Sequence, residues 1–461
     1  METLDKKDIQ GLLLRAYKDL GSSGFLLCKI SDNNSFKEFL SKVHSQITNS
    51  EKNPTSGAMN IAFTNNGFTQ LGLKMKRNFS SEFSEGMQSK FRQRILGDYN
   101  SNDPEKWIWG AQSEIHFILM LYAPNTNAIN AKVEEMQSLL AVHKVTIVQS
   151  IISDDLEGDK EHFGFHDGIS QPVIRSLKGK KVSSKSNVVA DGEFIFGYLN
   201  EYDKMPISPI LDSPDQFDFG KNGSYMVFRQ LKQNVKEFWN YMSTQSGGDI
   251  NEAIHLASKM MGRYLNGTPL ALSPDKPDAK LAEENNFGYY STDKFGEKCP
   301  FGAHVRKANP RDGMNDDPVE STTVTNRHRI LRRGRPYGAP CAPSMNPEDI
   351  LKAAQPAHEV GLVFICFNTN ISRQFEFVQQ QWMNNKKFYH LYNDPDPIVG
   401  IDGKPPVNGV SKAEPPGEFT IQNCPVRKKL TGVPQFTVMK GGAYFFFPAI
   451  GAISRLIDSI H

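Results

Sequence analysis

Gly24-Phe25-Leu26-Leu27-Cys28-Lys29-Ile30 is a short apolar run of strand length, and the residues that follow at 36–48 change to helical spacing. Further strand-like runs stand at 59–64, 115–122 and 144–152, with a second helical pattern at 131–142. Strands interleaved with helices in this way predict an α+β half. The alternation returns later, with strands expected at 225–231, 361–368 and 443–448 and helices at 235–246, 254–264 and 373–384. The two halves look alike in architecture without a sequence repeat.

A Lys- and Ser-rich stretch, 176–187, separates the halves and reads as an exposed linker, which predicts domains at 1–185 and 186–461. The segment 391–417 is crowded with Pro, Gly, Asp and Asn and predicts a long irregular connection, a candidate cover for a cofactor. At 461 residues the chain can bury a large core and a sizeable pocket. Its 53 basic and 51 acidic residues leave a formal charge of +2, so no global field favours nucleic acid or an anionic membrane. Five scattered cysteines form neither a C-x-x-C nor a C-x-x-C-H pair, which argues against covalent c-type haem, a zinc ribbon or a disulfide scaffold. The first ten residues carry acids among lysines and precede only a short apolar stretch, which fits no export signal. The expected location is cytoplasmic.

Three clusters carry chemistry. The first is Glu161-His162-Phe163-Gly164-Phe165-His166-Asp167-Gly168-Ile169-Ser170-Gln171-Pro172. Asp before Gly is most often a turn, but an Asp set among Phe163 and Phe165 would be a poorly solvated carboxylate and hence a candidate base. Gly164 and Gly168 would allow a flat ligand close to the backbone. His166 is adjacent, and alternation along an extended stretch predicts that it points away from Asp167.

The second cluster, Cys299-Pro300-Phe301-Gly302-Ala303-His304-Val305-Arg306-Lys307-Ala308-Asn309-Pro310-Arg311, sets one histidine among small residues and then cations. A lone histidine is more often structural than a ligand, yet imidazole is the usual proximal ligand of haem peroxidases. Gly302 and Ala303 would admit a broad macrocycle, and Arg311 is the best placed of the cations for an ionised propionate. The third cluster, His328-Arg329-Ile330-Leu331-Arg332-Arg333-Gly334-Arg335-Pro336-Tyr337-Gly338, is a β-like stretch entering a turn. Basic runs usually face solvent, but alternation puts Ile330 and Arg332 on one side, so Arg332 can point into a pocket.

Taken together and in this order, G-x-x-D-G, G-A-H-x-R with N-P-R, and R-I-x-R before P-Y-G resemble the dye-decolorizing peroxidase family. Asp8-Ile9-Gln10-Gly11, Met261-Gly262-Arg263-Tyr264, Gly361-Leu362-Val363-Phe364 and Tyr444-Phe445-Phe446-Phe447-Pro448 extend the resemblance over most of the chain, as in the longer intracellular bacterial or fungal-like members. The resemblance implies two ferredoxin-like α+β domains, each an antiparallel sheet with peripheral helices, holding one haem b mostly in the C-terminal half. It implies His304 as the iron's axial ligand, Asp167 as distal acid–base residue and Arg332 as distal arginine. It also implies Arg311 as a propionate contact, Leu362 and Phe364 as distal lining with Gly164, Phe165 and Gly168 against the cofactor, and Asp396 as partner of the proximal imidazole.

The implied reaction is peroxide heterolysis at ferric haem, assisted by Asp167 and Arg332 and followed by oxidation of dyes, phenolics and similar donors. Hydrogen peroxide and aromatic or dye donors are the implied partners, with a second copy of the chain as a candidate homodimer partner. A carboxylate base predicts useful activity at acidic pH. Tyr337, Trp382 and Trp239 are candidate relays for donors too large for the pocket. The rival readings are a haem-handling protein with little turnover, a porphyrinogen oxidase and a haem-free binding module.

Overall fold

Strand formation in this chain follows burial. In a computed structural model, which describes residues 3–154, 156–177, 187–354, 358–401 and 417–460, every residue of Ala58–Phe63 and Phe117–Ala123 is buried. The N-terminal half runs β1 (Ser22–Ile30), α1 (Asn33–Val43), β2 (Ala58–Phe63), β3 (Phe117–Ala123), α2 (Thr126–Val142) and β4 (Val145–Ser153). These strands lie in the order β4-β1-β3-β2 and all pair antiparallel, which is the β-α-β-β-α-β ferredoxin-like arrangement. Asp32 caps α1 by accepting from Ser35 N, and Asn125 caps α2 by accepting from Ala128 N, so each strand-to-helix turn is fixed locally. The buried face of α1 contributes Phe36, Phe39, Leu40 and Val43, each worth about 1.5–3 kcal/mol of transfer free energy where fully apolar.

The C-terminal half repeats the plan. It runs β5 (Ser224–Gln233), α3 (Val235–Gln245), α4 (Ile250–Met261), α5 (His304–Ala308), β6 (Leu331–Arg332), β7 (Arg335–Tyr337), β8 (Gly361–Asn368), a π-helical stretch at 372–383 and β9 (Thr437–Phe447). β8 pairs with β5, β6 and β7, and β9 pairs with β5, again antiparallel. A single register pair, Phe446 with Phe63, joins β9 to β2 and makes one nine-stranded sheet among the described residues. Ser153 Oγ at one end of that sheet donates to Pro336 O at the other, so the sheet curls towards a barrel. Phe25, Leu27, Ile118 and Met120 from the first half share the inner core with Met226, Phe228, Val363, Ile365, Phe445 and Phe447 from the second.

The period of two decides where the site lies. With Met226 and Phe228 facing inward, Arg229, Leu231 and Gln233 face the outer side of the C-terminal half, beside Leu362 and Phe364 of β8 and Thr437 and Met439 of β9. Two helices depart from their expected form. The helix predicted at 254–264 stops at Gly262, which takes a left-handed φ of 95° and releases Arg263 from the helix. The helix predicted at 373–384 is wound as π-helix, a form frequent at functional sites. Residues 178–186 of the linker expected at 176–187, with the domain boundary between 185 and 186, lie outside the described residues, as do 402–416 of the expected irregular segment.

Candidate functional site

The outer face of β5, β8 and β9 closes against α4, α5, the π-helical stretch and the loop at 161–170 around one internal cavity. Its volume is about 230 Å³. His304, Asp167, Arg332, Phe165, Leu362 and Phe364 all line it.

His304 begins α5, and its Nδ1 lies 3.1 Å from both carboxylate oxygens of Asp396. Asp396 Oδ1 also accepts from Ile398 N at 2.9 Å and Val399 N at 2.8 Å. Burial alone would raise this acid. The charge and hydrogen bond of His304, the Val399 N–H and the nearby Lys307 outweigh it and hold Asp396 below the ordinary carboxylate range. An ionised Asp396 fixes the proton on Nδ1 and leaves Nε2 with its lone pair at the cavity, without a protein partner among the described residues.

Asp167 and Arg332 meet in the same cavity, with Nη1 donating to Oδ1 at 3.3 Å. Arg332 N donates to Gln171 Oε1 at 3.0 Å, which ties the end of β6 to the loop that carries Asp167. Ile330 lines the cavity with Arg332, as alternation predicts, whereas Arg333 turns away and bonds Leu12 O and Leu13 O.

Three expectations need correction. Asp167 is not packed among phenyl rings: its side chain is 34% exposed, and Phe163 stacks instead on Phe238 of α3. The carboxylate buried in that loop is Glu161. His166 forms an isolated antiparallel bridge with Lys160, and its ring stands 4.0 Å from the exposed Asp159 carboxylate while Asp167 meets Arg332. Gly164 and Gly168 do not touch the cavity and serve conformation, with φ of 95° and 80°. Gly302 is small for Phe419, whose ring would lie 3.2 Å from an added Cβ, and neither it nor Ala303 lines the cavity.

Arg311 also stands elsewhere than expected. It lies behind the wall, donating to Asn285 O, Asn285 Oδ1 and Phe287 O, with its guanidinium 4.1 Å from the Phe287 ring centroid. Beside Arg332 the wall carries Arg229, which is paired with Asp98, and Arg263 and Arg329. Arg263 bonds two backbone carbonyls and Ser170 Oγ and keeps Nε unpaired, while Arg329 bonds Asn187 Oδ1. Neither has a carboxylate partner among the described residues. Burial, reinforced by Arg311 and Arg332, pushes Arg263 down to about 10 and Arg329 to about 9. Buried cations without a counter-charge call for an anionic ligand. Met261-Gly262-Arg263-Tyr264 held the signal for Arg263, but only the helix stop at Gly262 reveals where its side chain goes.

Of the proposed relays, Trp239, Trp382 and Tyr337 are 0%, 2% and 7% exposed, so none forms a surface terminus. Ile398, Val399 and Ile401 of the irregular segment do line the cavity, in keeping with a covering role. All five cysteines are unpaired, and no helix among the described residues is long and apolar enough to cross a membrane.

Fold and cavity together define an α+β enclosure for a flat, anionic ligand met by one carboxylate-backed imidazole, and the residues present fit haem: a free Nε2, uncompensated arginines and an apolar wall. Residues 8–154 match the family described as the DyP dimeric alpha+beta barrel domain, and 200–392 match the Dyp-type peroxidase C-terminal family. Peroxidase 2 of Mycetinis scorodonius is 30% identical over 99% of this chain and 88% of its own. A solved fungal DyP-type peroxidase from Auricularia auricula-judae superimposes with a TM-score of 0.79 at 28% identity, over 99% of this chain and all of the other. A dye-decolorizing peroxidase solved in complex with 2,6-dimethoxyphenol gives 0.79 at 26%, over 98% and 99%. The chain belongs to the dye-decolorizing peroxidase family and is a haem peroxidase.

Proposed function

We propose that the cavity binds one haem b per chain through His304 and that Asp167 with Arg332 activates hydrogen peroxide there for the oxidation of dyes and phenols. The observation that carries this reading is the convergence on one cavity of an acid–arginine pair and an imidazole whose Nδ1 is held by a buried carboxylate. Haem, when bound, supplies the iron that takes the oxidising equivalents of peroxide and delivers them to donors.

The residues have separable tasks. Asp167 takes the proton from the near oxygen of hydrogen peroxide and returns it to the far one, so that water is the leaving group. Arg332 stabilises the charge that develops as the oxygen–oxygen bond breaks, and its bond to Asp167 orients the carboxylate. Asp396 keeps the proton on His304 Nδ1 and makes the imidazole a stronger ligand. Arg263 and Arg329 would meet the propionates, and Leu362 and Phe364 restrict entry to small oxidants. Donors of the size of a dye then react at the protein surface or the cavity mouth. A related enzyme holding 2,6-dimethoxyphenol supports a phenolic donor. The unpaired cysteines accord with a reducing, cytoplasmic setting, and the matched domain's description accords with a homodimer.

Steady-state oxidation of an anthraquinone dye and of 2,6-dimethoxyphenol by the haem-loaded parent, Asp167→Asn and Arg332→Leu tests the assignment. The expected result is a fall in kcat/KM for peroxide of about 10²–10⁴-fold in Asp167→Asn, with haem content unchanged. Parent-like turnover in both variants would move peroxide activation to other residues.

A further inference from the structure

Glu161 is the carboxylate that the peroxidase assignment leaves without a task. It is 8% exposed and shares the cavity wall with Asp167, six positions along the same turn. Its two oxygens accept from Phe165 N and Phe163 N at 3.0 Å, and its backbone bonds Phe165 O and receives Gly164 N, so the turn leading to Asp167 is wrapped around it.

Across from it, Gln233 of β5 lies with its amide nitrogen 2.5 Å from Glu161 Oε2. That separation is short for N–H···O and ordinary for O–H···O. Gln233 Oε1 meanwhile has no partner and is buried. Amide oxygen and nitrogen exchange places when the group is turned over. Turned over, the amide places its oxygen against Glu161, where a protonated carboxyl can donate to it. The NH₂ then faces the cavity, whose wall also carries the unpartnered acceptor Asp98 Oδ2.

We propose that Glu161 and Gln233 form an acid–amide pair behind Asp167, with Glu161 a positioning residue whose neutral form holds the distal turn and whose ionised form sets a second negative charge beside Asp167. Neutral, Glu161 donates to Gln233 Oε1 and leaves Asp167 as the anion that answers to Arg332. Ionised, it accepts from Gln233 Nε2 and competes for the field of Arg332. Peroxide activation then weakens as pH rises.

The surroundings favour the neutral form over a wide range. Burial is the main cause that lifts the Glu161 acid to about 7, opposed by the Phe163 N–H, Gln233 and the Phe165 N–H and aided by the Asp167 charge. From α3 the neighbours of the turn are Phe238 and Trp239, and the indole N–H of Trp239 is already bonded to Phe163 O. Asp167 is therefore the charged group the pair answers to, with Arg332 behind it.

Infrared difference spectra of the protein, with and without haem, read the pair directly between about pH 5 and about pH 9. The expected result is a buried carboxylic-acid carbonyl band that grows as pH falls through about 7 and is absent from Glu161→Gln. In parallel, kcat/KM for peroxide should decline on the alkaline side in the parent and hold to within about threefold in Glu161→Gln, against about tenfold for one unit of charge coupling in the parent. Gln233→Leu supplies a second variant: with no amide to donate to the carboxylate, its band should move and its midpoint rise. The kinetic consequence rests on Asp167 acting as the acid–base residue, whereas the infrared band reads Glu161 alone. No titrating band in the parent, a band unmoved in Gln233→Leu, or an alkaline decline unchanged in Glu161→Gln would overturn the proposal.

Discussion

Replacing Asp396 by Asn should weaken the hydrogen bond that prepares His304. Asp396 Oδ1 is held by Ile398 N and Val399 N at 2.9 and 2.8 Å, so the side-chain oxygen of Asn will keep that position and its NH₂ will take the place of Oδ2. Oδ1 and Oδ2 each lie 3.1 Å from His304 Nδ1, so the retained amide oxygen still accepts there but without the carboxylate's charge. The NH₂ in the place of Oδ2 competes as a donor beside the Nδ1–H, and a neutral oxygen holds the proton on Nδ1 less firmly than the carboxylate does. The lost charge-assisted bond is worth about 1.5–3 kcal/mol, and supporting partners of metal ligands typically contribute about 10–100-fold in affinity or activity. Haem titration of the apoprotein, followed at the Soret band, should therefore show weaker binding by about 10–100-fold. Resonance Raman of the ferrous form should show a lower iron–histidine stretching frequency. Parent-like affinity with an unshifted stretch would refute the reasoning, since the carboxylate would then be supporting the loop at 396–399 rather than the imidazole.

Arg329→Leu should act with opposite sign on the two forms of the protein. Removing a buried cation that has no carboxylate partner among the described residues raises the melting temperature of the apoprotein, while haem affinity falls, and calorimetry with haem titration separates the two. Phe364→Ala opens the wall opposite Phe375 and should raise the rate with a bulky organic hydroperoxide about tenfold relative to hydrogen peroxide in stopped-flow mixing. Stability should fall with rising pH through Glu161. Its folded-state acid is raised to about 7 against 4.5, so its contribution is complete below 4.5 and lost as pH passes 7, on the order of 3 kcal/mol. Denaturant unfolding of parent and Glu161→Gln across that window measures it, and a slope retained in the variant would assign the loss elsewhere.

The strands and the presence of His304, Asp167 and Arg332 on the cavity wall were legible because each had a local signal. Apolar runs such as 115–122 became Phe117–Ala123 with every residue buried, and the alternation of Ile330 and Arg332 survived into the cavity wall. What stayed hidden depended on backbone that leaves the regular period. Gly262 ends α4 one residue before Arg263, and Gly164 and Gly168 take left-handed φ of 95° and 80° in the loop that carries Asp167. Glu161 stood in view in the same cluster, yet its burial depends on Gln233, 72 positions away in the chain. Arg311 was misplaced for a related reason. Its left-handed φ of 55° turns the chain, and the side chain goes to the carbonyls of Asn285 and Phe287, which no spacing rule could anticipate.

The central claim is tested most directly by stopped-flow absorption of the haem-loaded parent, His304→Ala, Asp167→Ala and Arg332→Leu mixed with hydrogen peroxide. The expected result is a Soret band at one haem per chain that His304→Ala abolishes or shifts, and a rapid peroxide-driven change slowed about a hundredfold or more when the distal pair is broken. A stable Soret band indifferent to peroxide, or distal variants as fast as the parent, would contradict it.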